Sequence, residues 1–341
     1  MRRRTLPAQD PMKILVTGAA GFIGMHTAHR LLADGHRVVG LDNVNDYYDA
    51  RLKRARLANL ATHPGFSFEE FGIEDTARLL ALFERERPER VVHLAAQAGV
   101  RYSLSHPQAY AASNLQGFMN MLEGCRHHGV RHLVYASSSS VYGGNTALPF
   151  AEGQAVDHPI SLYAATKKAN ELMAHAYSHL YGLPTTGVRL FTVYGPWGRP
   201  DMAPYKFAQA ICAGEAIEVY NQGQSLRDFT YVDDAVESIV RLLHKLPTPG
   251  SGPGLGSASA PYRVFNVGNG QPVVLLDFIA ALERSLGRSA RKIMRPAQDG
   301  DMHATACDST QLEAWIGFRP TTPLAEGVQR FADWFEQYHG R

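Results

Sequence analysis

Two side chains that can move a proton, Tyr163 and Lys167, stand four residues apart within a run of helix-forming residues. Ser161 can cap the start of this helix, and Gly182 followed by Pro184 can end it. Residues four apart share one face of a helix, so an ammonium group lies beside a phenol. The positive charge favours the phenolate and lowers the phenol pKa from its usual value of about 10. The pair therefore predicts Tyr163 as a general base near neutral pH.

A glycine-rich turn separates the first predicted strand, Lys13–Thr17, from a predicted helix over Phe22–Ala33. Gly18 permits the tight turn, Gly21 lets the backbone approach a pyrophosphate, and Gly24 lets the helix pack closely on the strand. The N–H groups and dipole at the start of the helix favour an anion. The sequence therefore predicts a dinucleotide site.

The second predicted strand, Arg37–Leu41, is followed at once by Asp42. A carboxylate at this position binds the ribose hydroxyls of the adenosine and repels a 2′-phosphate, so it favours NAD over NADP. The polar segment Asn43–Leu60 is too long for a minimal loop between strand and helix. We interpret it as an insertion that contains a basic helix.

Strands and helices alternate as far as residue 191. Further strands are predicted at Phe66–Phe71, Arg90–Ala96, His132–Ser137 and Thr185–Phe191, and long helices at Pro107–His128 and Ser161–Tyr181. This order predicts an α/β fold, a Rossmann-type doubly wound parallel sheet whose ligand lies at the carboxyl ends of the strands. Three segments fall at those ends: Gln97–Arg101, Ser137–Ser140 and Thr192.

Beyond Gly198 the elements become shorter and Pro and Gly more frequent, which predicts a smaller mixed α/β C-terminal domain for the substrate. The clearest strand-like pieces there are Ile217–Tyr220 and Val264–Val267, and a helix over Trp315–His339 closes the chain. The predicted division is a disordered extension over residues 1–11, an NAD-binding domain of residues 12–191 plus about 232–266, and a substrate domain of about 192–231 plus 267–341.

Composition excludes several classes of protein. The 341 residues carry a net charge of +2 with scattered basic residues, so no nucleic-acid partner is expected. No apolar run approaches the roughly 18 residues of a membrane span. Three distant cysteines predict a reduced, cytoplasmic protein without disulfides. His175 and His179 have metal-binding spacing but no third ligand nearby, so no metal is expected.

These motifs resemble the extended short-chain dehydrogenase/reductase family over nearly everything from Met12 onward. The glycine pattern, His93–Ala96 and the tyrosine–lysine pair carry the likeness. Within that family the likeness is greatest to the UDP-glucuronate 4-epimerases, and Ala95–Arg101, Ser137–Gly143 and Phe191–Met202 carry it.

The resemblance implies a role for each matching position. The implied catalytic residues are Ser138, Tyr163 and Lys167. The implied cofactor-binding residues are Gly18, Gly21, Phe22, Ile23, Gly24, Asp42, Asn43, Ala95, Tyr163 and Lys167. The implied substrate-binding residues are Thr192 and Arg199 near a sugar carboxylate, Arg227 on the phosphates, Asp301 near the uridine ribose, and Ser139, Ser140 and Arg101.

The implied activity is an NAD-dependent interconversion of UDP-glucuronate and UDP-galacturonate through a 4-keto sugar. The resemblance also implies a homodimer formed through the two long helices. The hydroxyls of Ser139 and Ser140 argue against a dehydratase, which needs an acid and a base at these positions. The chain departs from the family at Gly72, where an Asp usually holds the adenine amino group, and Glu74 or Asp75 are the available substitutes. It departs again at Asp299, where Pro is commoner.

Three alternatives stay open. The first is a 4-epimerase of a neutral sugar such as UDP-glucose or UDP-N-acetylglucosamine. The second is a non-catalytic, NAD-binding regulatory protein, because this fold also hosts such modules. The third, a scaffold that binds no nucleotide, is hard to reconcile with the glycine turn and Asp42.

Overall fold

A parallel sheet of seven strands forms the centre of the computed structural model, which describes residues 10–250, 255–297, 302 and 304–340. Residues 1–9 of the predicted N-terminal extension lie outside the described residues, as do Asp299 and Asp301.

The strands follow the predicted alternation closely. They are β1 Lys13–Thr17, β2 Arg37–Asp42, β3 Phe66–Glu70, β4 Arg90–His93, β5 His132–Ser138, β6 Thr185–Leu190, β7 Thr192–Tyr194, β8 Ala216–Val219, β9 Leu226–Tyr231, β10 Tyr262–Val267, β11 Pro272–Val274 and β12 Arg291–Met294.

The helices lie between them. They are α1 Phe22–Ala33, α2 Ala50–Ala61, α3 Thr76–Glu86, α4 Tyr102–Ser105, α5 Pro107–Tyr110, α6 Gly117–His127, α7 Leu162–Tyr181, α8 Ala203–Ala213, α9 Val232–His244, α10 Leu275–Leu286, α11 Thr310–Ile316 and α12 Leu324–His339.

The strands of the sheet are arranged in the order β10-β6-β5-β4-β1-β2-β3, and every neighbouring pair is parallel. The order in which the chain adds strands reverses between β1 and β4, since β2 and β3 lie on one side of β1 and β4 lies on the other. Ligands of such sheets bind where the order reverses, at the carboxyl ends of the strands. Both faces are covered: Ile14 and Val16 of β1 pack into one apolar cluster and Leu15 into the other. The predicted doubly wound α/β fold is confirmed.

Some predicted elements need correction. The strand after Arg90 ends at His93, because the amides of Leu94 and Ala95 bond to the Thr17 carbonyl and hydroxyl at the end of β1. Val264–Val267 belongs to β10 and pairs with β6 in the main sheet. The closing helix does not run unbroken from Trp315, because α11 and α12 are separate.

The predicted helix over Pro107–His128 is interrupted by a wide π-helical turn at Ala111–Gln116. Inside this turn the buried Asn114 carbonyl accepts a bond of 2.6 Å from the Asn170 side chain of α7. Such turns frequently occur at functional sites. Here the turn directs the Asn114 side chain towards the strand ends.

Two small sheets, β11-β9-β7 and β12-β8, lie beyond the main sheet. Strand β7 pairs parallel with β9, and β9 pairs antiparallel with β11. These strands belong to the smaller C-terminal part that the sequence predicts. In the part of the chain that the structure describes, no helix combines the length and hydropathy needed to cross a membrane.

Two histidines buried in the main sheet should make the fold sensitive to acid. Burial lowers the pKa of His93 to about 3 and that of His132 to about 4. An unfolded chain protonates histidine near pH 6.5, so at about pH 4 to 6.5 only the unfolded state gains these protons. Stability should fall as the pH is lowered through this window, by up to about 1.4 kcal/mol per pH unit for each histidine.

Urea unfolding between pH 7 and pH 5 measures this loss. His132→Gln should flatten the pH dependence more than the same change at His127, whose side chain is 54% exposed. Equal stability at pH 7 and pH 5 in the unaltered protein would contradict the expected protonation of the unfolded chain.

Candidate active site

A cavity of about 910 Å³ opens at the carboxyl ends of the main-sheet strands. Every described residue that the sequence selected for catalysis, cofactor or substrate lines this cavity. They are Gly18, Gly21, Phe22, Ile23, Gly24, Asp42, Asn43, Ala95, Arg101, Ser138, Ser139, Ser140, Tyr163, Lys167, Thr192, Arg199 and Arg227.

The three glycines of the turn have no room for side chains. Gly18 adopts a φ of +72°, and a Cβ there would lie 2.8 Å from the backbone nitrogen of Ala95. A Cβ on Gly24 would lie 1.9 Å from the Gly18 carbonyl oxygen, so the first turn of α1 packs directly on the glycine turn. The backbone is thus exposed to the cavity at the start of a helix, which is the geometry that binds a pyrophosphate.

Asp42 lies beside this turn at the end of β2. Its carboxylate accepts hydrogen bonds from the amides of Ala20 and Val44, at 3.1 and 2.8 Å. Burial raises the pKa of this carboxyl group, while the two amides and the nearby charges of Lys53 and Arg56 act in the opposite direction. The side chain is therefore held in a fixed position facing the cavity.

The structure distinguishes the two carboxylates that might compensate for Gly72. Asp75 caps α3 by accepting from the Arg78 amide at 3.1 Å. Glu74 lines the cavity, and a Cβ on Gly72 would lie 2.1 Å from its carboxylate oxygen. The Glu74 carboxylate thus takes the space that a side chain at position 72 would fill.

Ser138 is the last residue of β5 and begins the 3₁₀ turn Ser139–Tyr142. Its hydroxyl accepts from the Ser140 amide and shares a hydrogen bond with the Ser140 hydroxyl, both at 3.1 Å. These bonds fix the oxygen at the cavity wall. The position of the serine therefore follows from the strand end and from a local turn.

Tyr163 is on the first turn of α7, whose start is capped by Ser161 as predicted. Burial raises the pKa of its phenol, while a hydrogen bond from Ser138 and the charge of Arg199 act to lower it. The predicted lowering of this pKa by Lys167 is therefore wrong for the protein's own side chains. The cost of burying a phenolate outweighs the charges that the chain supplies.

Lys167 is one turn further along α7. Its ammonium donates to the Ala136 carbonyl oxygen of β5 at 2.8 Å, and burial lowers its pKa to about 8. The group is thus mostly charged at neutral pH and is anchored to the sheet. A further cation near the phenol would be needed to favour the phenolate.

The segment after β4 is held by the π-helical turn. Asn114 accepts from the Gln97 amide at 2.8 Å and donates to the Gln97 carbonyl at 3.0 Å and the Thr166 hydroxyl at 3.1 Å. Tyr110 donates to the Ala98 carbonyl at 3.0 Å, and its ring meets the ring of Tyr163 edge-on at 6.1 Å. The wide turn thereby connects α7 to this strand end.

Two residues at the site, Asp201 and Tyr47, were not predicted from the sequence. Arg199 donates from Nε to Asp201 at 3.0 Å, and Tyr47 donates to the same carboxylate at 3.1 Å. Burial opposes ionisation of Asp201, yet Arg199 and Tyr47 hold its pKa below the ordinary value. The Arg199–Asp201 spacing within the Phe191–Met202 motif was a usable signal, whereas Tyr47 lies in the insertion and had none.

The remaining predicted binding residues line the cavity from other elements. Thr192 begins β7, and Arg227 is in β9 with a donor 2.9 Å from the Leu226 carbonyl. The Arg101 guanidinium lies 5.4 Å from the ring centre of Tyr220. Among the described residues, no group of three or more His, Cys, Asp or Glu side chains is arranged to hold a metal ion.

A half-buried tyrosine and a buried lysine that line one cavity with a glycine turn place the chain in the short-chain dehydrogenase/reductase class. The chain belongs to the NAD dependent epimerase/dehydratase family, whose sequence model matches residues 14–268.

Relatives match almost the whole chain. A probable UDP-glucuronate 4-epimerase of Rhizobium meliloti is 50% identical over 97% of this chain and 98% of its own length. Protein CapI of Staphylococcus aureus is 53% identical over 96% of this chain and 99% of its own length. Among solved structures, UDP-glucuronic acid 4-epimerase of Bacillus cereus, in complex with UDP-glucuronic acid and NAD, superposes with a TM-score of 0.86. It is 32% identical, and the match covers 96% of this chain and 100% of that one.

Proposed function

We propose that this protein is an NAD-dependent 4-epimerase that interconverts UDP-glucuronate and UDP-galacturonate through a 4-keto sugar. The observation that carries this proposal is that Tyr163, Ser138 and Arg199 face the same cavity as the glycine turn. Relatives named for this activity, including the Rhizobium meliloti protein, support it.

The chain's own residues fit NAD. The glycines of the turn suit a pyrophosphate, and Asp42 suits the ribose hydroxyls and disfavours a 2′-phosphate. The chemistry that bound NAD would supply is reversible hydride transfer at C4 of the sugar. The cationic ring of NAD would also add the positive charge that the Tyr163 phenolate requires.

Tyr163 takes the proton of the C4 hydroxyl and later returns it. Ser138 holds the reacting oxygen in line, and its hydrogen bond strengthens as charge develops there. Lys167, anchored on the Ala136 carbonyl, keeps a positive charge near the phenolate. Each group acts from a position fixed by the end of β5 or the first turns of α7.

A uronic acid substrate adds a hazard, because the 4-keto intermediate is a β-keto acid that can lose carbon dioxide. Loss requires the bond from C5 to the carboxylate to stand perpendicular to the plane of the ketone. We assign Arg199 and Thr192, together with the hydroxyls of Ser139 and Ser140, to holding the carboxylate away from that geometry. The Asp201 carboxylate and Tyr47 fix the orientation of Arg199 for this role.

Arg199→Ala should raise the KM for UDP-glucuronate about 10- to 100-fold and release a decarboxylated pentose product. The reason is that a charge-assisted hydrogen bond to the substrate carboxylate is lost. Initial rates and chromatography of the products measure both effects. Arg199→Lys keeps the cation and should lie between the alanine variant and the unaltered protein. An unchanged KM with no pentose would remove Arg199 from this role.

We assign the sugar nucleotide's diphosphate to Arg227, with Arg101 beside it and Asp301 near the uridine ribose. This assignment goes with a division into an NAD-binding part, residues 12–191 plus about 232–266, and a substrate part, about 192–231 plus 267–341. Hydrogen exchange with UDP alone should protect the second part. Protection confined to the first part would refute the division.

We also propose a homodimer formed through α6 and α7. Exposed apolar side chains are concentrated there: Met119 is 40% exposed, Leu172 60% and Leu180 66%. Sedimentation should give twice the 37.5 kDa chain mass, and Leu172→Glu combined with Leu180→Glu should give single chains. A single-chain mass for the unaltered protein at micromolar concentration would rule the dimer out.

The proposed setting is the cytoplasm, since Cys125, Cys212 and Cys307 are free and buried. The product, an activated uronic acid, would enter nucleotide-sugar metabolism and polysaccharide biosynthesis. A fractionation that found the protein outside the cytoplasm would exclude this setting.

Competition between substrates tests the proposed function against a neutral-sugar epimerase. Purified protein is incubated with equal concentrations of UDP-glucuronate and UDP-glucose, and the products are separated by anion-exchange chromatography. We expect UDP-galacturonate to dominate. Exclusive formation of UDP-galactose would favour the neutral-sugar alternative, and no product from either would favour a non-catalytic NAD-binding protein.

A further inference from the structure

The fully buried guanidinium of Arg56 has no role in the chemistry described above. It lies on α2, within the Asn43–Leu60 segment that the sequence analysis treated as an insertion, and it is 0% exposed. Removing a guanidinium from water is costly unless its donors are satisfied. The bonds that it makes therefore indicate what it does.

Those bonds join two parts of the candidate site. One terminal nitrogen of Arg56 donates to the Ala20 carbonyl in the glycine turn, at 3.1 Å, and to the Tyr48 hydroxyl, at 2.6 Å. The other donates to the carbonyls of Trp197 and Gly198, at 2.7 and 3.2 Å. Gly198 directly precedes Arg199 in the chain.

The loop before Arg199 is held at three successive carbonyl groups. Besides the two bonds from Arg56, the Pro196 carbonyl lies 2.9 Å from Nε2 of His26 on α1. Trp197 has a φ of +62°, a conformation that side-chain-bearing residues rarely adopt and that persists only when the surroundings enforce it. Arg56 and His26 supply that enforcement from helices that flank the glycine turn.

Tyr47, from the same segment as Arg56, acts on the other side of Arg199. Its hydroxyl donates to Asp201, which in turn pairs with Arg199. The Asn43–Leu60 segment therefore contacts the loop both before and after Arg199. This arrangement fixes the guanidinium of Arg199 relative to the turn that receives the cofactor.

We propose that Arg56 is a positioning residue that sets the distance between the glycine turn and Arg199, and thereby between the cofactor and the carboxylate of the substrate. The effect of Arg56 on turnover rests on the proposed function. The link itself, which is the set of hydrogen bonds from Arg56 to the glycine turn and to the loop before Arg199, does not. Arg56 itself lies outside the set of residues that line the cavity.

Arg56→Lys tests the proposal, because lysine keeps the positive charge but has only one nitrogen. It cannot replace the planar guanidinium, whose two terminal nitrogens bond to the glycine turn and to the loop before Arg199. The control is Arg54→Lys, an exposed position on the same helix. We expect Arg56→Lys to raise the KM for UDP-glucuronate about 10- to 100-fold, with a smaller fall in kcat and some decarboxylated product. A merely structural role would lower the active fraction and the Tm but leave KM and the product ratio unchanged.

Hydrogen exchange of a peptide spanning residues 195–202 gives a second readout that needs no turnover. Exchange there should be faster in Arg56→Lys than in Arg54→Lys or the unaltered protein. Should Arg56→Lys fail to fold, Tyr48→Phe removes one acceptor of Arg56 and should produce the same change more weakly.

The outcomes separate the two proposals. Unchanged exchange at residues 195–202 would overturn the positioning role whatever the activity. Faster exchange in a protein that never converts UDP-glucuronate would support the link and overturn the proposed function. Faster exchange with an unchanged KM and product ratio would show that the link does not serve the substrate carboxylate, which also overturns the proposal.

Discussion

Replacing Tyr163 with phenylalanine should lower kcat for UDP-glucuronate by about 10² to 10⁴-fold, the usual contribution of a general acid–base group. The phenol lines the cavity together with Ser138 and is one turn from Lys167 on α7, where the proposed function needs its general base. Phenylalanine keeps the ring and its edge-on contact with Tyr110 while removing only the reacting oxygen. Steady-state rates at saturating substrate measure the effect.

The same substitution at Tyr181 provides the control. Tyr181 is the last residue of α7 and is 45% exposed, so its phenylalanine variant should keep full activity. A Tyr163→Phe protein that retains more than about a tenth of the unaltered kcat would show that another group moves the proton.

Replacing Glu171 with alanine should destabilise the fold by about 3 to 5 kcal/mol, the usual cost of removing one partner of a buried ion pair. Both Glu171 oxygens accept from Arg189, each at 2.8 Å, and one also accepts from the Ser137 hydroxyl at 2.7 Å. The two side chains are 2% and 0% exposed. Without the carboxylate, the Arg189 guanidinium would be buried with its charge uncompensated.

Denaturant unfolding measures this loss, and Glu326→Ala is the matched control. Glu326 also pairs with an arginine, Arg330, but both side chains are 49% exposed, so removing it should cost no more than about 1 kcal/mol. Equal losses in the free energy of unfolding for Glu171→Ala and Glu326→Ala would show that the buried pair does not stabilise the fold. Because Ser137 precedes Ser138, we also expect Glu171→Ala to disturb the position of Ser138.

Patterns that depend on near neighbours in the chain were predictable. The helix Phe22–Ala33 and the strand Lys13–Thr17 have the predicted bounds, because apolar periodicity and the glycine turn specify them locally. Ser161 caps α7 and Gly182 ends it in the left-handed conformation, also as predicted. The gathering of the selected residues in one cavity follows from the parallel sheet, whose strand ends meet at one edge.

Properties that depend on burial and on distant partners were not predictable. The spacing of Tyr163 and Lys167 shows that they share a helix face, but not that burial outweighs the effects of Ser138 and Arg199 and raises the phenol pKa. The π-helical turn at Ala111–Gln116 depends on a bond between Asn114 and Asn170, 56 residues apart. No local pattern records such a bond.

The long-range contacts of the Asn43–Leu60 insertion were the largest feature that the sequence did not predict. Its composition predicts a polar segment with a basic helix, and α2 is indeed there. The contact of Arg56 with Trp197 spans 141 residues, and that of Tyr47 with Asp201 spans 154. Basic residues on a predicted helix are usually solvated, so only the fold shows that one of them is buried between the glycine turn and the loop that carries Arg199.

The most direct test follows the hydrogen on C4 during turnover in heavy water. Purified protein is incubated with UDP-glucuronate in D₂O, and the products are observed by proton NMR. We expect UDP-galacturonate whose C4 hydrogen is retained, because it leaves as hydride and returns without meeting solvent. Deuterium at C4, or no UDP-galacturonate at all from protein that contains NAD, would contradict the proposed reaction.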